Sequence, residues 1–510
     1  MTTMNRAAAA SSTPEATAAT AAPAVPVKLS RLARQWQRLS PRFLPFADAA
    51  TADLPLARLL RLGLFQVSVG MATALMVGTL NRVMIVELQV AAWLVALMVA
   101  LPIVVAPLRA FIGHRSDTYP SAIGWRRVPY IGMGAFLQFA GLAIMPFALL
   151  LLSGDAARPE LMWVGQGAAA LAFLLVGAGL QTTQTAGLAL ATDLAAPQTR
   201  PRVVALMYVM LLVGMVGGGT VFSLLLEDFS PTRLVQVVQG AAVLSVVLCV
   251  VAVWKQEARN PSRRRNRRDP AAAFGPRWRS FIAQPQARRF LWTVGLGTAA
   301  FNMQDVVLEP YGAEILGLSV AATSALTAVM ASGALAAFAL AARWLSRGGD
   351  PQRVAAVGAV LGLPAFAAVI FAAPLDATWL FRAGTALIGF GGGLFAVGTL
   401  TAAMSLEQPD HVGLALGAWG AVQATAAGVA VASGGALRDL VSTLALQGSL
   451  GEVLVSRVTG YGVVYGIELL LLLAALVALG PLVRNVSRSP ADDNRTAAHS
   501  DRFGLADLPG

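Results

Sequence analysis

Residues 128–152 read VPYIGMGAFLQFAGLAIMPFALLLL, 25 positions without one Asp, Glu, Lys or Arg. A helix rises 1.5 Å per residue, so about 20 apolar residues cross the ~30 Å hydrocarbon layer of a bilayer. This stretch is therefore long and apolar enough to span a membrane. Eleven further runs of the same kind flank it. The twelve expected spans are 59–80, 90–110, 128–152, 161–192, 203–226, 232–254, 290–308, 320–344, 352–373, 378–404, 411–436 and 462–483.

Composition agrees. Of 510 residues, 56% are hydrophobic and 13% charged, where a soluble domain carries about 25% charged residues. Cys249 is the one cysteine, which rules out a disulfide framework or a cysteine metal site within one chain. The formal net charge of +12 raises the question of nucleic acid, but the placement of the charge answers it. Of 38 Lys and Arg, 32 lie in the tails and in the segments after even-numbered spans. Arg82, Arg158, Arg233, Arg382, Arg438 and Arg457 make up the rest. That bias is the signature of membrane orientation and predicts both termini in the cytoplasm, with no nucleic-acid partner.

The chain divides into an Ala/Thr/Pro-rich cytoplasmic tail (1–27), expected to be disordered, and a basic segment (28–58). A first six-span half (59–254), a basic linker (255–289), a second six-span half (290–483) and a polar tail (484–510) follow. In the basic segment Leu29, Leu32, Trp36 and Leu39 recur near helical spacing among Lys28, Arg31, Arg34, Arg38 and Arg42. The pattern fits a helix lying on the membrane surface and equally a plain orientation-setting arm. The fold class expected is all-α and polytopic, with two halves of six helices as in the major facilitator superfamily.

Function in such a chain sits in the polar groups that the bilayer tolerates. After the second span come Gly113, His114, Arg115, Ser116 and Asp117, then Gly124, Trp125, Arg126 and Arg127. A carboxylate at a helix end can pair there with guanidinium groups. Asp193 with Arg200 and Arg202 offers a second cluster on the same side, and together these read as a gate or latch between helices. Ordinary loop ordering accounts for them equally simply. Span four holds Gln181, Thr182, Thr183, Gln184 and Thr185 in a row. These should face the interior, bonding helix to helix or lining a ligand path. Span seven ends in Asn302, Gln304, Asp305 and Glu309, with Pro310 following. Asp305 and Glu309, one turn apart, suggest a proton or cation site, or else a wetted cap at the outer interface. The glycines Gly214, Gly217, Gly218 and Gly219, and Gly389, Gly391, Gly392 and Gly393, permit close helix contact or leave room for a planar ligand.

Four segments together resemble one family: 113–117 with 124–130 (GWRRVPY), 181–194 (QTTQTAGLALATDL), 200–208 (RPRVVALMY) and 304–312 (QDVVLEPYG). The chain resembles the PucC/LhaA family, the bacteriochlorophyll-delivery branch of the facilitator superfamily, from about Arg58 to Arg484. The loop motif departs from the superfamily pattern by the extra residues 118–123. The resemblance implies a membrane assembly factor for light-harvesting antenna complexes in purple phototrophic bacteria. Such a factor binds or hands over bacteriochlorophyll, chaperones antenna polypeptides, or both, in the inner (cytoplasmic or intracytoplasmic) membrane. The core antenna is slightly favoured as client over the peripheral one. Pigment-synthesis enzymes are a further candidate partner, and nothing bears on carotenoid.

The older description of this family as a bacteriochlorophyll synthase subunit suggests an enzyme. Transfer from a diphosphate needs Mg²⁺ held by carboxylates, yet the only adjacent aspartates are Asp492 and Asp493 in the tail. No catalytic residue and no metal site is expected. A pigment magnesium would take an axial ligand, for which His114, His411, Gln181, Gln184 and Asn302 are the candidates. Two rivals stand beside the assembly role. One is a proton-coupled secondary transporter of a small solute, for which ionisable groups near the midplane of several spans are expected; most here fall at helix ends. The other is a pigment-free scaffold for single-span antenna subunits.

Overall fold

The computed structural model describes residues 54–104, 125, 127–152, 162–196, 199–257, 282–405 and 412–486. They belong to the unit Pro45–Gly510; the other unit, Met1–Leu44, lies outside them, and with it the basic segment up to Leu44. Most of the linker and both tails also lie outside the described residues.

Among the described residues, ten helices are long and apolar enough to cross a membrane. Their bounds follow the hydropathy closely: Val128–Leu152 for span 3, Met162–Leu194 for span 4, Arg200–Leu225 for span 5 and Pro231–Val253 for span 6. In the second half they are Val320–Leu345 (span 8), Pro351–Ala372 (span 9), Thr378–Ser405 (span 10), Val412–Leu446 (span 11) and Val458–Val486 (span 12). The starts are set by local chemistry. Ser230 and Asp350 accept hydrogen bonds from the Arg233 and Gln352 backbone N–H, each with proline at the next position, where a missing N–H costs nothing.

Of the remaining three spans, 1 and 7 depart from regular helix. Span 1 begins as an α-helix, Leu56–Thr73, and continues through π-helical turns at Ala74–Leu80 and Val83–Glu87. Span 2 is described over Ala92–Val104. Span 7 is broken: Pro285–Asn302, a 3-10 turn Met303–Val306, then Leu308–Glu314. Span 1 is among the ten, and with spans 2 and 7 the twelve expected positions are filled.

Each half packs internally, spans 3 and 4 against each other in the first and spans 9 and 10 in the second. The halves meet along two seams, span 5 with span 8 and span 2 with span 11. Both seams bring backbone to backbone. A methyl built on Gly219 would stand 2.8 Å from the Ala328 nitrogen, and one on Gly435 2.7 Å from the Ala92 carbonyl oxygen. The outer faces are greasy: Phe136, Phe147, Leu224 and Val477 are exposed, and Trp163, Trp254 and Trp379 are exposed at span ends, where indole suits the bilayer interface. Cys249 is buried at 1% exposure on span 6.

Candidate functional site

The break in span 7 has a covalent cause. Pro310 has no N–H, so the carbonyl four residues earlier, Val306, cannot receive its helical bond. Asn81, fully buried at the end of the first π-helical segment of span 1, supplies the donor. Its Nδ2 donates to Val306 O at 3.2 Å and to Asp305 O at 3.3 Å. The irregular segments of spans 1 and 7 thus occupy the same place in the two halves and touch there. Interrupted helices at corresponding positions of two repeats point to a functional centre.

Around this contact the structure gathers acids. Glu309, 2% exposed, accepts from Thr327 Oγ1 of span 8 at 3.1 Å through Oε1, while its Oε2 has no partner. Gln304 Nε2 donates to Asp305 Oδ1 at 2.6 Å, and Asp305 is half-buried. Glu468 of span 12, 0% exposed, faces Asp305 and the Gln304 backbone N–H, though neither carboxyl oxygen reaches hydrogen-bond geometry. Tyr311, Tyr461 and Tyr465 wall the cluster, with ring centroids 5.3 and 5.8 Å from Tyr311. Tyr311 OH donates to Val369 O at 3.2 Å.

Toward the arginine-poor end, that of the loops after odd-numbered spans, a charged plug lies above the acids. Arg438 of span 11 pairs with Glu314 at 2.5 Å and Asp439 at 2.8 Å, and donates to Tyr461 OH at 2.8 Å. Trp93 N of span 2 donates to Asp439 Oδ2 at 2.8 Å, which ties the halves together. Arg82 pairs with Glu87 on span 1. A cavity of about 370 Å³ lies beside the plug, lined by Glu314, Arg438, Asp439 and Trp93.

The first half holds a second polar network. Gln138 of span 3 donates to Thr183 of span 4 at 3.0 Å and accepts from Ser245 of span 6 at 2.9 Å; Ser68 of span 1 lies 2.7 Å from Ser245. Thr183 therefore serves helix-to-helix bonding. At the arginine-rich end, Arg127 pairs with Asp193 at 3.1 Å. Glu257 accepts from the backbone N–H of Arg127 and Val128 at 3.0 and 3.1 Å, and so caps span 3. Arg58 holds Gln256 by two bonds of 2.9 Å.

Other sequence candidates fall as follows. Gly113, His114, Asp117, Gly124, Arg126 and His411 lie outside the described residues, and of Arg200 only the backbone is described. Arg202, Gln184 and Thr185 are half-buried and partnered. Gln181 is half-buried, with a buried Oε1 that lacks a partner. Asn302 Nδ2 donates within its own helix, to Thr298 O at 2.7 Å. Most ionisable groups are expected at helix ends, and Glu468 is an exception. It lies ten residues into span 12, roughly 15 Å from that helix's start at 1.5 Å per residue. Asn81, Thr327, Arg438 and Glu468 are site residues that the sequence reading did not single out. Only Glu468 carried a legible signal: one acid in an otherwise apolar stretch, 467–473. Among the described residues, no three His, Cys, Asp or Glu come together as metal ligands do.

Two apolar hollows open on the outer surface of the first half. One, of about 590 Å³ beside spans 5 and 6, includes Gly214, Gly217 and Gly240, with Arg233 and Gln236 as polar lining. The other, of about 610 Å³ between spans 3 and 6, includes Gly132, Phe136 and Cys249. The glycines expected to allow close contact mostly do so; Gly217 instead faces open space, with nothing within 4 Å of an added methyl.

Residues 79–487 match the family described as PUCC protein. Protein PucC of Rhodovulum sulfidophilum is 56% identical over 420 residues, covering 81% of this chain and 92% of that one. A Rhodobacter capsulatus protein, described as an uncharacterized protein in the puhA-bchM intergenic region, is 51% identical over 471 residues, 92% of this chain and 98% of its own length. Among solved structures, a bacterial homolog of the human lysosomal transporter Spinster, inward-facing and occupied, superposes with a TM-score of 0.60. It shares 16% identity and covers 85% of this chain and 98% of that one. At that identity the likeness concerns the fold alone, which is the major facilitator fold.

Proposed function

The chain belongs to the PucC family, and on that premise we propose that it is a non-enzymatic membrane factor for assembling bacterial light-harvesting antenna complexes. It delivers bacteriochlorophyll to the antenna polypeptides, in the inner membrane, with both termini in the cytoplasm. The observation that carries the reading is the hollow beside spans 5 and 6. It is apolar, opens on the outer face of the helices and measures about 590 Å³, within the roughly 300–1,000 Å³ of small-molecule sites. Gly217 and Gly240 leave its floor flat, with nothing within 4 Å of either, as a planar macrocycle requires.

Bacteriochlorophyll would bring a magnesium that takes an axial oxygen or nitrogen. Gln181 has a buried carbonyl oxygen without a partner, unlike the partnered Gln184, but it does not line this hollow. The hollow itself offers Gln236. Single-span antenna polypeptides would dock on the same lipid-facing surface, which lets pigment pass sideways without crossing water.

Deleting the gene in its host and comparing antenna with reaction-centre absorption tests the role. Loss of one antenna band with the reaction centre intact supports it, and the band lost names the client, the core antenna being the first to examine. Unchanged antenna absorption sinks it. A colourless preparation that still co-purifies antenna polypeptides would leave scaffolding in place of delivery.

One observation favours a second reading, proton-coupled transport of a small solute: Glu309 and Glu468 are buried in the interior between the halves. Solute uptake into vesicles, driven by a pH gradient and lost in Glu468→Gln, is its test.

A further inference from the structure

Asp305, Glu309 and Glu468 bring three carboxyl groups to the place where span 1 of the first half meets spans 7 and 12 of the second. The elements packed there bring little compensating charge. Span 1 offers Asn81, then Arg82, which is paired with Glu87. Span 11 offers Arg438, which is paired with Glu314 and Asp439. Span 12 offers Tyr461 and Tyr465. Span 8 presents Thr327, and span 2 over 92–104 has no titratable residue. Arg382 of span 10 is exposed. Among the described residues, the acids have no cation of their own.

Two amide side chains beside the acids are short of donors as well. Gln304 and Asn81, at 1% and 0% exposure, each leave the side-chain carbonyl oxygen without a donor. With Glu309 Oε2 and both Glu468 oxygens, this makes five buried acceptor oxygens lacking a partner in one cluster, beside an unpartnered Tyr465 hydroxyl. Buried acceptors in such number call for hydrogen or positive charge from outside the chain. A divalent metal fits poorly, because among the described residues no three His, Cys, Asp or Glu side chains converge as a metal needs.

We propose that this cluster is a proton-binding site, with protons seated on Glu309 and Glu468 and exchanged through the half-buried Asp305. A proton from water forms an O–H bond on a carboxylate oxygen. That removes one negative charge and provides a donor that the orphan oxygens lack. Because the site lies between the halves, its loading favours the closed contact of spans 1, 7 and 12. Emptying it leaves like charges that repel and draw in water. The inference goes beyond the assembly role and stands whether or not that role does.

The test uses the purified full chain in lipid, followed by infrared difference spectroscopy during an alkaline titration in H₂O and D₂O. The expected result is a neutral-carboxyl C=O band at neutral pH that shifts in D₂O. It should lose part of its area in Glu468→Gln and Glu309→Gln, and vanish in the triple variant D305N/E309Q/E468Q. If the triple variant fails to fold, the singles still decide. A folded wild-type sample without the band, or a band that both single variants leave unchanged, overturns the proposal. So does a band that disappears on adding Na⁺, Mg²⁺ or Mn²⁺ at constant pH, since the site would then hold a metal cation.

Discussion

Asn81 donates its side-chain amide to the Val306 carbonyl at 3.2 Å, so a residue of the first half serves an acceptor that Pro310 leaves open in the second. Both groups are buried. Replacing Asn81 with Ala leaves that carbonyl unsatisfied at a cost of about 1–3 kcal/mol. The expected result is a lower unfolding temperature in mild detergent. An unchanged temperature would mean that water replaces the amide and that the two broken segments are not tied through it.

Arg438 joins spans 7, 11 and 12 through Glu314, Asp439 and Tyr461. Glu314 and Arg438 are nearly buried, at 10% and 14% side-chain exposure, so removing the cation strands two acids. Arg438→Gln should destabilise by about 3–5 kcal/mol. Glu314→Gln should cost less, because Asp439 still pairs with the arginine. Equal loss of folded yield in the two variants would contradict this ranking.

Gly219 and Gly217 lie two residues apart on span 5 and should behave oppositely. A methyl on Gly219 meets the Ala328 backbone nitrogen at 2.8 Å, across the seam between the halves. Gly219→Ala should cost about 1–3 kcal/mol through overpacking. Gly217→Ala meets nothing within 4 Å and should be neutral, or gain about 0.4–1 kcal/mol from the stiffer unfolded chain. Thermal unfolding of the two single variants side by side gives the answer.

At the arginine-rich end, Arg127 is nearly buried but Asp193 is half exposed, at 7% and 49% side-chain exposure. Solvent screening limits such a pair to about 0–1 kcal/mol. A double-mutant cycle of Arg127→Gln and Asp193→Asn should report coupling in that range. Glu257→Gln, which weakens the cap on span 3, should lower stability independently of Asp193. A coupling well above the range would restore a strong latch.

Gly240→Leu tests the pigment reading without touching the polar interior. The position is open, with nothing within 4 Å, so the leucine fills the hollow and leaves the fold intact. Antenna absorption in a host carrying this variant should fall while the protein level holds. Normal absorption would remove the hollow from the pathway.

Most of the architecture was legible because bilayer length and hydropathy leave few alternatives: Val128–Leu152 was bounded to the residue. Span 1 continues to Glu87 and span 11 to Leu446, beyond the expected ends at 80 and 436. Arg82 pairs with Glu87 within span 1, and Arg438 with Glu314 of span 7. Read one at a time, those residues look like helix exits, and a pairing between spans 11 and 7 leaves no mark in a local window. The acids of span 7 were legible one by one, and Glu468 as a lone acid in an apolar run. Their meeting was not, and nor was the task of Asn81, which is defined by a proline more than two hundred positions away.

Cys249 is the chain's single thiol, and it is enclosed on span 6. The native protein is therefore an almost silent background for maleimide chemistry. One engineered cysteine at a time can report which side of the bilayer each loop faces, and how far the two halves part, with no prior removal of native sulfur.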